Sequence, residues 1–584
     1  MPIAGARYLA ALLAALAATP FAFAELPPIG SGNVAIADPD IPPPPGDACV
    51  VPLFDEFTFI GFDAQSFDFA PPDACPGPWQ KVVFNADFDV TAGRQFDRTA
   101  KIWLGGANIY FGTTQEPSAA VAPSWHIQRD LTDYSALFVQ AQAGRVDLGN
   151  VVDDTYTGII HGSASLTFYP RVATSPDHPP RPDVVVPMAA DATGGTVDLA
   201  SSDDHLAIDF TPPTNIRRAF LDVTLEAQNT DEFWYLCVPD NLAEELQSCP
   251  GTGFREGEVT IDGLYVGVAP IYPWIYTGGI DPGLWRPSPD IQTLSFEPYR
   301  VDLTPYAAWL NDGLPHHLAV RVANAQSYFS ATANLLLYLD HGATTVGGAV
   351  TLNTLRAPEP DFTSDIATSG DMLDGVVLGS STRDYEISGY VDTSDGRVTT
   401  DILWHSYFYN SQIFNIYPRQ YQQQLDTRAQ MDITTTVNTG VYSHVVAEHH
   451  DWPLKINYAF NTTDDGFSQV TSVDQGRKQW IDVGVQGYTP REASVSQHVI
   501  AADTLLFSPD GNVTGRTGQS SQQSYSYVDP FGACYSRAIA TDSGVLTAVT
   551  DGAGCPNDVN SLSWFDAFYN ASSSLSGATV QILP

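Results

Sequence analysis

A chain of 584 residues with 67 acidic and 26 basic side chains carries a formal charge of −41, and 43% of it is hydrophobic. The apolar content excludes wholesale disorder, and the length suggests about three or four domains. The acidity argues against nucleic acid and anionic membrane surfaces as partners, because both need a basic face.

Residues 1–24 hold one charge, Arg7, then an apolar run from Tyr8 to Ala18 and the small-x-small site Ala22-Phe23-Ala24. They read as a signal peptide cleaved after Ala24, so the mature chain is expected to be secreted or periplasmic. No later segment has the run of about 18 apolar residues that a bilayer span needs. Residues 25–46 end in Ile41-Pro-Pro-Pro-Pro-Gly46 and read as an extended Pro-rich linker. Six cysteines form local couples: Cys49 and Cys75, Cys237 and Cys249, Cys534 and Cys555. In an oxidising compartment, disulfides within each couple are the simplest arrangement. Zinc is the alternative, although no couple has Cys-x-x-Cys spacing.

Segments such as Ala219-Phe-Leu-Asp-Val-Thr-Leu-Glu226, residues 257–268 and His317-Leu-Ala-Val-Arg-Val322 alternate apolar and polar residues, as half-buried strands do. The chain therefore reads as all-β, built from sandwiches or jelly rolls. An internal repeat supports two related units. Asp130-Leu-Thr-Asp-Tyr-Ser-Ala-Leu137 returns as Asp302-Leu-Thr-Pro-Tyr-Ala-Ala-Trp309, where Thr304 is expected to cap a short helix beginning at Pro305. Matching Arg98 with Arg255 aligns Ile102 with Val259, Leu104 with Ile261 and Gly106 with Gly263. The two matches need different offsets, so an insertion separates them. The expected units are a first jelly roll over 47–175, a second over 205–345, and a β-rich C-terminal domain over 350–584. Each unit brings a charged pair to the start of an equivalent strand, Asp97-Arg98 and Arg255-Glu256. These pairs either face a shared cleft or form two structural salt bridges.

Gln95-Phe-Asp-Arg-Thr-Ala-Lys-Ile-Trp-Leu-Gly-Gly106, Thr113-Thr-Gln-Glu-Pro-Ser118 and Asp231-Glu-Phe-Trp-Tyr235 occur in order. Gly253-Phe-Arg-Glu256, Ile275-Tyr-Thr-Gly-Gly-Ile280, Leu284-Trp-Arg-Pro287 and Asn334-Leu-Leu-Leu-Tyr-Leu-Asp340 follow. The ordered set resembles the peptide N-glycosidase A family, and the likeness runs on to about Cys555. Gln115 stands where members often have Ala, and Cys237 where they often have Asn; the second suits a bacterial subgroup with an extra disulfide. The resemblance implies hydrolysis of the β-amide bond between Asn and the innermost N-acetylglucosamine of N-glycans on peptides or proteins. It also implies acid activity without a metal or other cofactor. The peptide N-glycosidase F family, with two jelly-roll-like units and a site between them, has its essential Asp ahead of an Arg and a strand, as Asp97-Arg98 stands here.

Amide hydrolysis needs an activated water, a proton for the leaving nitrogen and a stabilised carbonyl oxygen. Two carboxyls whose environments separate their pKa values can supply both proton transfers. Asp97 is the first choice, with Arg98 positioning it or the carbonyl. Glu256 is the second carboxyl because the repeat places it at the equivalent strand start, beside Arg255; Glu116, Asp231 and Glu232 follow. Trp234 and Trp285 are candidate sugar platforms, and Arg286 a sugar-binding or loop-bracing group. Trp103 falls within a strand pattern and is assigned to the core. The alternatives are a non-catalytic glycan-binding jelly-roll protein and a two-carboxylate glycoside hydrolase.

Overall fold

Strand-forming sequence dominates the computed structural model, which describes residues 26–44, 46–171, 181–485, 491–530 and 532–562. The expected signal peptide lies outside these residues. The first sandwich stacks two four-stranded antiparallel sheets. One contains Cys49–Phe59, Ile160–Pro170, Trp79–Val90 and Ser124–Asp130; the other contains Gln65–Phe69, Gln142–Leu148, Thr99–Leu104 and Ala107–Thr113. In chain order, the first sheet joins the first, eighth, third and sixth strands, and the other the second, seventh, fourth and fifth. That double Greek-key order is a jelly roll.

The second sandwich repeats it. One sheet runs Val197–Leu199, Tyr328–Leu339, Ile216–Gln228, Tyr299–Asp302, and its mate Leu206–Phe210, His316–Ala323, Glu256–Ile261, Leu264–Pro270. Its first strand is interrupted: Val184–Met188 and Val197–Leu199 pair with different stretches of Tyr328–Leu339. The unit therefore draws on residues upstream of 205. The aligned hairpins match in detail, each with a two-residue turn (Gly105-Gly106, Asp262-Gly263) and an irregularity in register at the equivalent place, after Ile102 and after Val259. The second repeated motif also recurs in space. Asp130 accepts the Thr132 N–H and Asp302 the Thr304 N–H, at 2.9 and 2.8 Å. Thr304 thus lies inside a short 3-10 turn, and the cap expected of it comes from Asp302.

The C-terminal region is one eleven-stranded antiparallel sheet, a meander of strands up to 22 residues long. Its inner face places Tyr385, Ile402, Trp404, Leu425, Met431 and Trp452 in one core with Leu221, Val268 and Leu335 of the second sandwich. On the other side, Phe220, Leu336 and Tyr338 pack into the core of the first sandwich. The central strands of the second unit are thus buried on both faces, and the polar residues that alternate into them, Asp222, Thr224, Thr332 and Asn334, are buried as well.

The stretch expected to be a linker is packed instead. The Gly30 N–H donates to Leu546, the Ala35 N–H to Pro287, the Ala37 N–H to the Gln523 side chain and the Ile41 N–H to the Gln128 side chain. Proline offers no N–H but leaves its carbonyl free to accept, and the Pro287 carbonyl takes one of these bonds. Disulfides join Cys49 to Cys75, Cys237 to Cys249 and Cys534 to Cys555.

Candidate active site

The strand Ala107–Thr113, at the edge of its own sheet, is buried along its whole length. It is covered by the 290–296 segment of the second unit: the Thr113 N–H donates to Thr293, the Phe296 N–H to Phe111 and the Tyr110 hydroxyl to Leu294. Covering an edge in this way satisfies groups that would otherwise invite aggregation. It also fixes the junction at which the carboxyls gather.

Asp97 precedes the strand Thr99–Leu104, and Glu116 follows the strand Ala107–Thr113. The long loop between residues 271 and 298 brings Gly278 against both. A Cβ at Gly278 would sit 2.5 Å from Asp97 Oδ1 and 2.7 Å from Glu116 Oε1, so any larger residue would have to displace both carboxyls. The Gly278 N–H faces the Asp97 carboxylate. Arg286, from the same loop, donates to Glu116 Oε2 at 2.7 Å. Arg98 donates to Gln95 Oε1 at 2.8 Å and closes against Asn150 Oδ1 at 3.5 Å. The second sandwich supplies Glu226, at the end of its central strand, and Glu232 in the following loop. The Thr99 hydroxyl donates to Glu226 Oε1 at 2.7 Å across the junction.

Burial dominates the electrostatics. It pushes the Glu232 carboxyl up to about 8, with the negative charges of Asp97 and Glu226 adding to the shift. It lifts Glu116 to about 7 against the pull of the Arg286 guanidinium, and Glu226 to about 7 against Lys101 and the Thr99 hydroxyl. Asp97 is raised by burial and drawn back by the Gly278 N–H and by Arg98. The charged form of Asp97 is therefore directly supported, whereas Glu232 has no cation opposing its shift. Glu232 and Asp97 are half-buried and reachable; Glu226 and Glu116 are buried beneath them.

Three expected site residues stand elsewhere. Glu256 does not share this junction: it pairs with Arg383 of the long sheet, and burial lifts it to about 7 against that cation. Its offset by one residue from the Asp97 alignment (Thr99 is its structural counterpart) turns it toward the sheet rather than toward Asp97. Trp285 is 0% exposed, its indole N–H held by the Gly279 carbonyl. Trp234 is 3% exposed and packs on Tyr235 and Phe408. Neither ring offers a free face to a sugar, and both hold the loops that carry Arg286 and Glu232.

Asp231 and Arg255 come together as an ion pair whose side chains are fully buried. Asp231 also accepts the N–H groups of Gln326 and Ser327, at 2.9 and 2.7 Å. The pair braces the loop that presents Glu232. Removing one member of a buried pair strands the other, so Asp231→Ala is expected to cost about 3 kcal/mol of stability, read as a lower midpoint in denaturant titration. An unchanged midpoint would remove the bracing role.

Two features were missed from sequence. Glu226 lies fully buried in a central strand, and a carboxyl in such a strand is itself a signal. Gly278-Gly279 marked the close approach of backbone to side chains.

Two sandwiches thus meet at a carboxyl–arginine cluster. The model of peptide N-acetyl-beta-D-glucosaminyl asparaginase amidase A matches residues 49–354, over half of the chain. The chain belongs to that family. Peptide-N4-(N-acetyl-beta-glucosaminyl)asparagine amidase A of Prunus dulcis is 29% identical to this chain over 533 residues, covering 88% of it and 90% of the relative. The amidase A match spans both jelly rolls and every carboxyl described above. Similar solved structures include PNGase F, a glycosylasparaginase from Flavobacterium meningosepticum, with a TM-score of 0.33 and 12% identity over 50% of this chain and 96% of its own. PNGF-II gives a TM-score of 0.35 and 12% identity over 50% of this chain and 65% of its own. Overlap that slight adds nothing to the fold assignment, which stands on the strand order.

Proposed function

We propose that the protein is a secreted or periplasmic amidase that hydrolyses the bond between Asn and the innermost N-acetylglucosamine of N-glycans, working in acid and without a metal. The observation that carries this reading is the pairing of Asp97, with a cation and an N–H supporting its charge, with Glu232, lifted to about 8 with no cation opposing it. Such a pair supplies a base and an acid at one pH. Asp97 takes a proton from a water as its oxygen attacks the Asn side-chain carbonyl carbon. Glu232 gives its proton to the glycosyl nitrogen as the C–N bond breaks. Arg98 or Arg286 offsets the negative charge that develops on the carbonyl oxygen. The peptide leaves with Asp in place of Asn, and the sugar leaves as a glycosylamine. Export is supported by the sequence of residues 1–24, and acid activity by the raised carboxyls.

Incubating the pure protein with a glycopeptide and weighing the peptide tests the reading. Amidase action leaves sugar-free peptide with Asp at the former Asn. A glycosidase leaves at least one N-acetylglucosamine attached, and a lectin changes nothing. Because protein side chains perform both proton transfers, activity is expected to survive EDTA; loss restored by added zinc would overturn that part.

A further inference from the structure

Two loops of the second unit serve the site: 229–239 carries Glu232, and 271–298 carries Gly278 and Arg286. Both are largely buried, and they run outside any sheet ladder, so their backbone carbonyls need partners from elsewhere. The inner face of the long sheet supplies them. Buried glutamines donate from Nε2 to the longer loop, Gln469 to the Ile280 carbonyl at 3.0 Å, Gln475 to Pro273 at 2.9 Å and Gln523 to Pro289 at 2.9 Å. Gln412 and Gln423 reach the other loop, donating to Cys237 at 2.8 Å and Leu236 at 2.9 Å. A carbonyl only accepts, so each amide must turn its nitrogen to the loop. A neutral amide does this without burying a charge.

Gln519 holds two carbonyls at once. Its Nε2 donates to Gly283 and to Arg286, the second at 2.9 Å. The Trp285 carbonyl between them takes Gln115 Nε2 at 2.8 Å, and the Pro287 carbonyl takes the Ala35 N–H at 3.0 Å. Arg516, on the same strand as Gln519, donates to the Pro282 carbonyl and to Asp281 Oδ1. Residues 281–287 are thus gripped by the long sheet on one side and by the first sandwich on the other. This is the stretch that aims Arg286 at Glu116. The family match ends at residue 354, and Gln519 and the sheet glutamines all lie beyond it.

We propose that the inner face of the long sheet positions the two loops of the active site, and that Gln519 is the positioning residue that keeps Arg286 against Glu116. Arg286 meets Glu116 from a turn whose two ends, Gly283 and Arg286, are tied by one amide. Opening that turn moves the guanidinium away from the carbonyl oxygen on which charge develops, so the loss falls in kcat. A displacement of about 1 Å at such a site costs about 10²-fold in rate. The kinetic part of the proposal rests on the amidase reading; the loop geometry does not.

Gln519→Met keeps the length of the side chain and removes both N–H groups. Gln519→Glu keeps the shape but donates only while its carboxyl is protonated; ionised, it sets a charge against two carbonyl oxygens. Gln522→Met, on the exposed outer face of the same strand, is the control. On one glycopeptide, Gln519→Met is expected to lose about 10²-fold in kcat with KM within about twofold of wild type. Its amide exchange in heavy water, read by mass spectrometry, should quicken in residues 279–291 and match wild type in the strands of the second sandwich. Gln519→Glu should approach wild type in acid and fall behind it as pH rises, a trend in the ratio to wild type that Gln519→Met does not show. Gln522→Met should match wild type throughout. Normal kcat and normal loop exchange in Gln519→Met would overturn the proposal. So would a loss carried by KM, or a Gln519→Glu deficit of the same factor at every pH. Should Gln519→Met not fold, the pH trend of Gln519→Glu and its loop exchange decide. If loop exchange responds as expected yet wild type cleaves no glycopeptide, the positioning stands and the amidase reading falls.

Discussion

Replacing Asp97 by Asn is expected to lower glycopeptide turnover by about 10²–10⁴-fold, the range a positioned base contributes, while fold and glycan binding persist. The substitution keeps the size of the side chain and an oxygen for the Gly278 N–H. It removes only the capacity to accept a proton from water. Burial already disfavours the Asp97 charge, so losing that charge does not unfold the junction. Near-normal turnover in Asp97→Asn, measured with circular dichroism to confirm the fold, would place the base elsewhere. Glu226→Gln is a useful contrast. Its oxygen can still accept from the Thr99 hydroxyl, and Glu226 is too buried to touch substrate, so its effect should reach the reaction only through the charges of Asp97 and Glu232.

The second large effect is on pH dependence. Burial lifts Glu116, Glu226, Glu256, Glu297 and Asp281 to about 7, Asp302 to about 6 and Glu232 to about 8. Their unfolded values are the ordinary 3.8 for Asp and 4.5 for Glu. A carboxyl whose folded pKa is raised binds its proton more tightly in the folded chain. Its contribution to stability is complete below the ordinary value and is lost as pH rises through the folded one. Opposing groups such as Asp153, Asp191 and Asp392 are held below 3.8 by hydrogen bonds, and their contribution is lost only in stronger acid. The melting temperature is therefore expected to rise by at least about 5 °C from pH 8 to pH 5, and to turn down only below about pH 3.8. Protonation over that range also relieves the self-repulsion of a chain with 67 acidic residues against 26 basic ones. Activity should follow the same limb, falling as pH rises through about 8 because Glu232 then has no proton to give. Thermal melts showing steady loss of stability from pH 8 to pH 5 would contradict the buried-carboxyl account.

The jelly-roll repeat was readable because side-chain alternation and a two-residue turn are local properties. Matching Leu104 with Ile261 and Gly106 with Gly263 gave the right hairpin register without any long-range information. The same alignment misled at Glu256, because it fixes a position along a strand but not which neighbour the other face meets; here that neighbour is Arg383, 127 residues away. Trp234 and Trp285 looked like platforms because Pro and Gly flank them, yet a large ring in an irregular segment is equally suited to anchoring it. Residues 26–44 looked like a linker because their backbone bonds go to distant carbonyls and side chains that no local pattern encodes.

The amidase chemistry itself is tested most directly by running the reaction in water enriched in heavy oxygen and locating the label in the peptide. Attack of water on the Asn carbonyl predicts one heavy oxygen in the side-chain carboxyl of the new Asp, present with wild type and lost with Asp97→Asn. A peptide released with unlabelled Asn, or one still carrying N-acetylglucosamine, would contradict it.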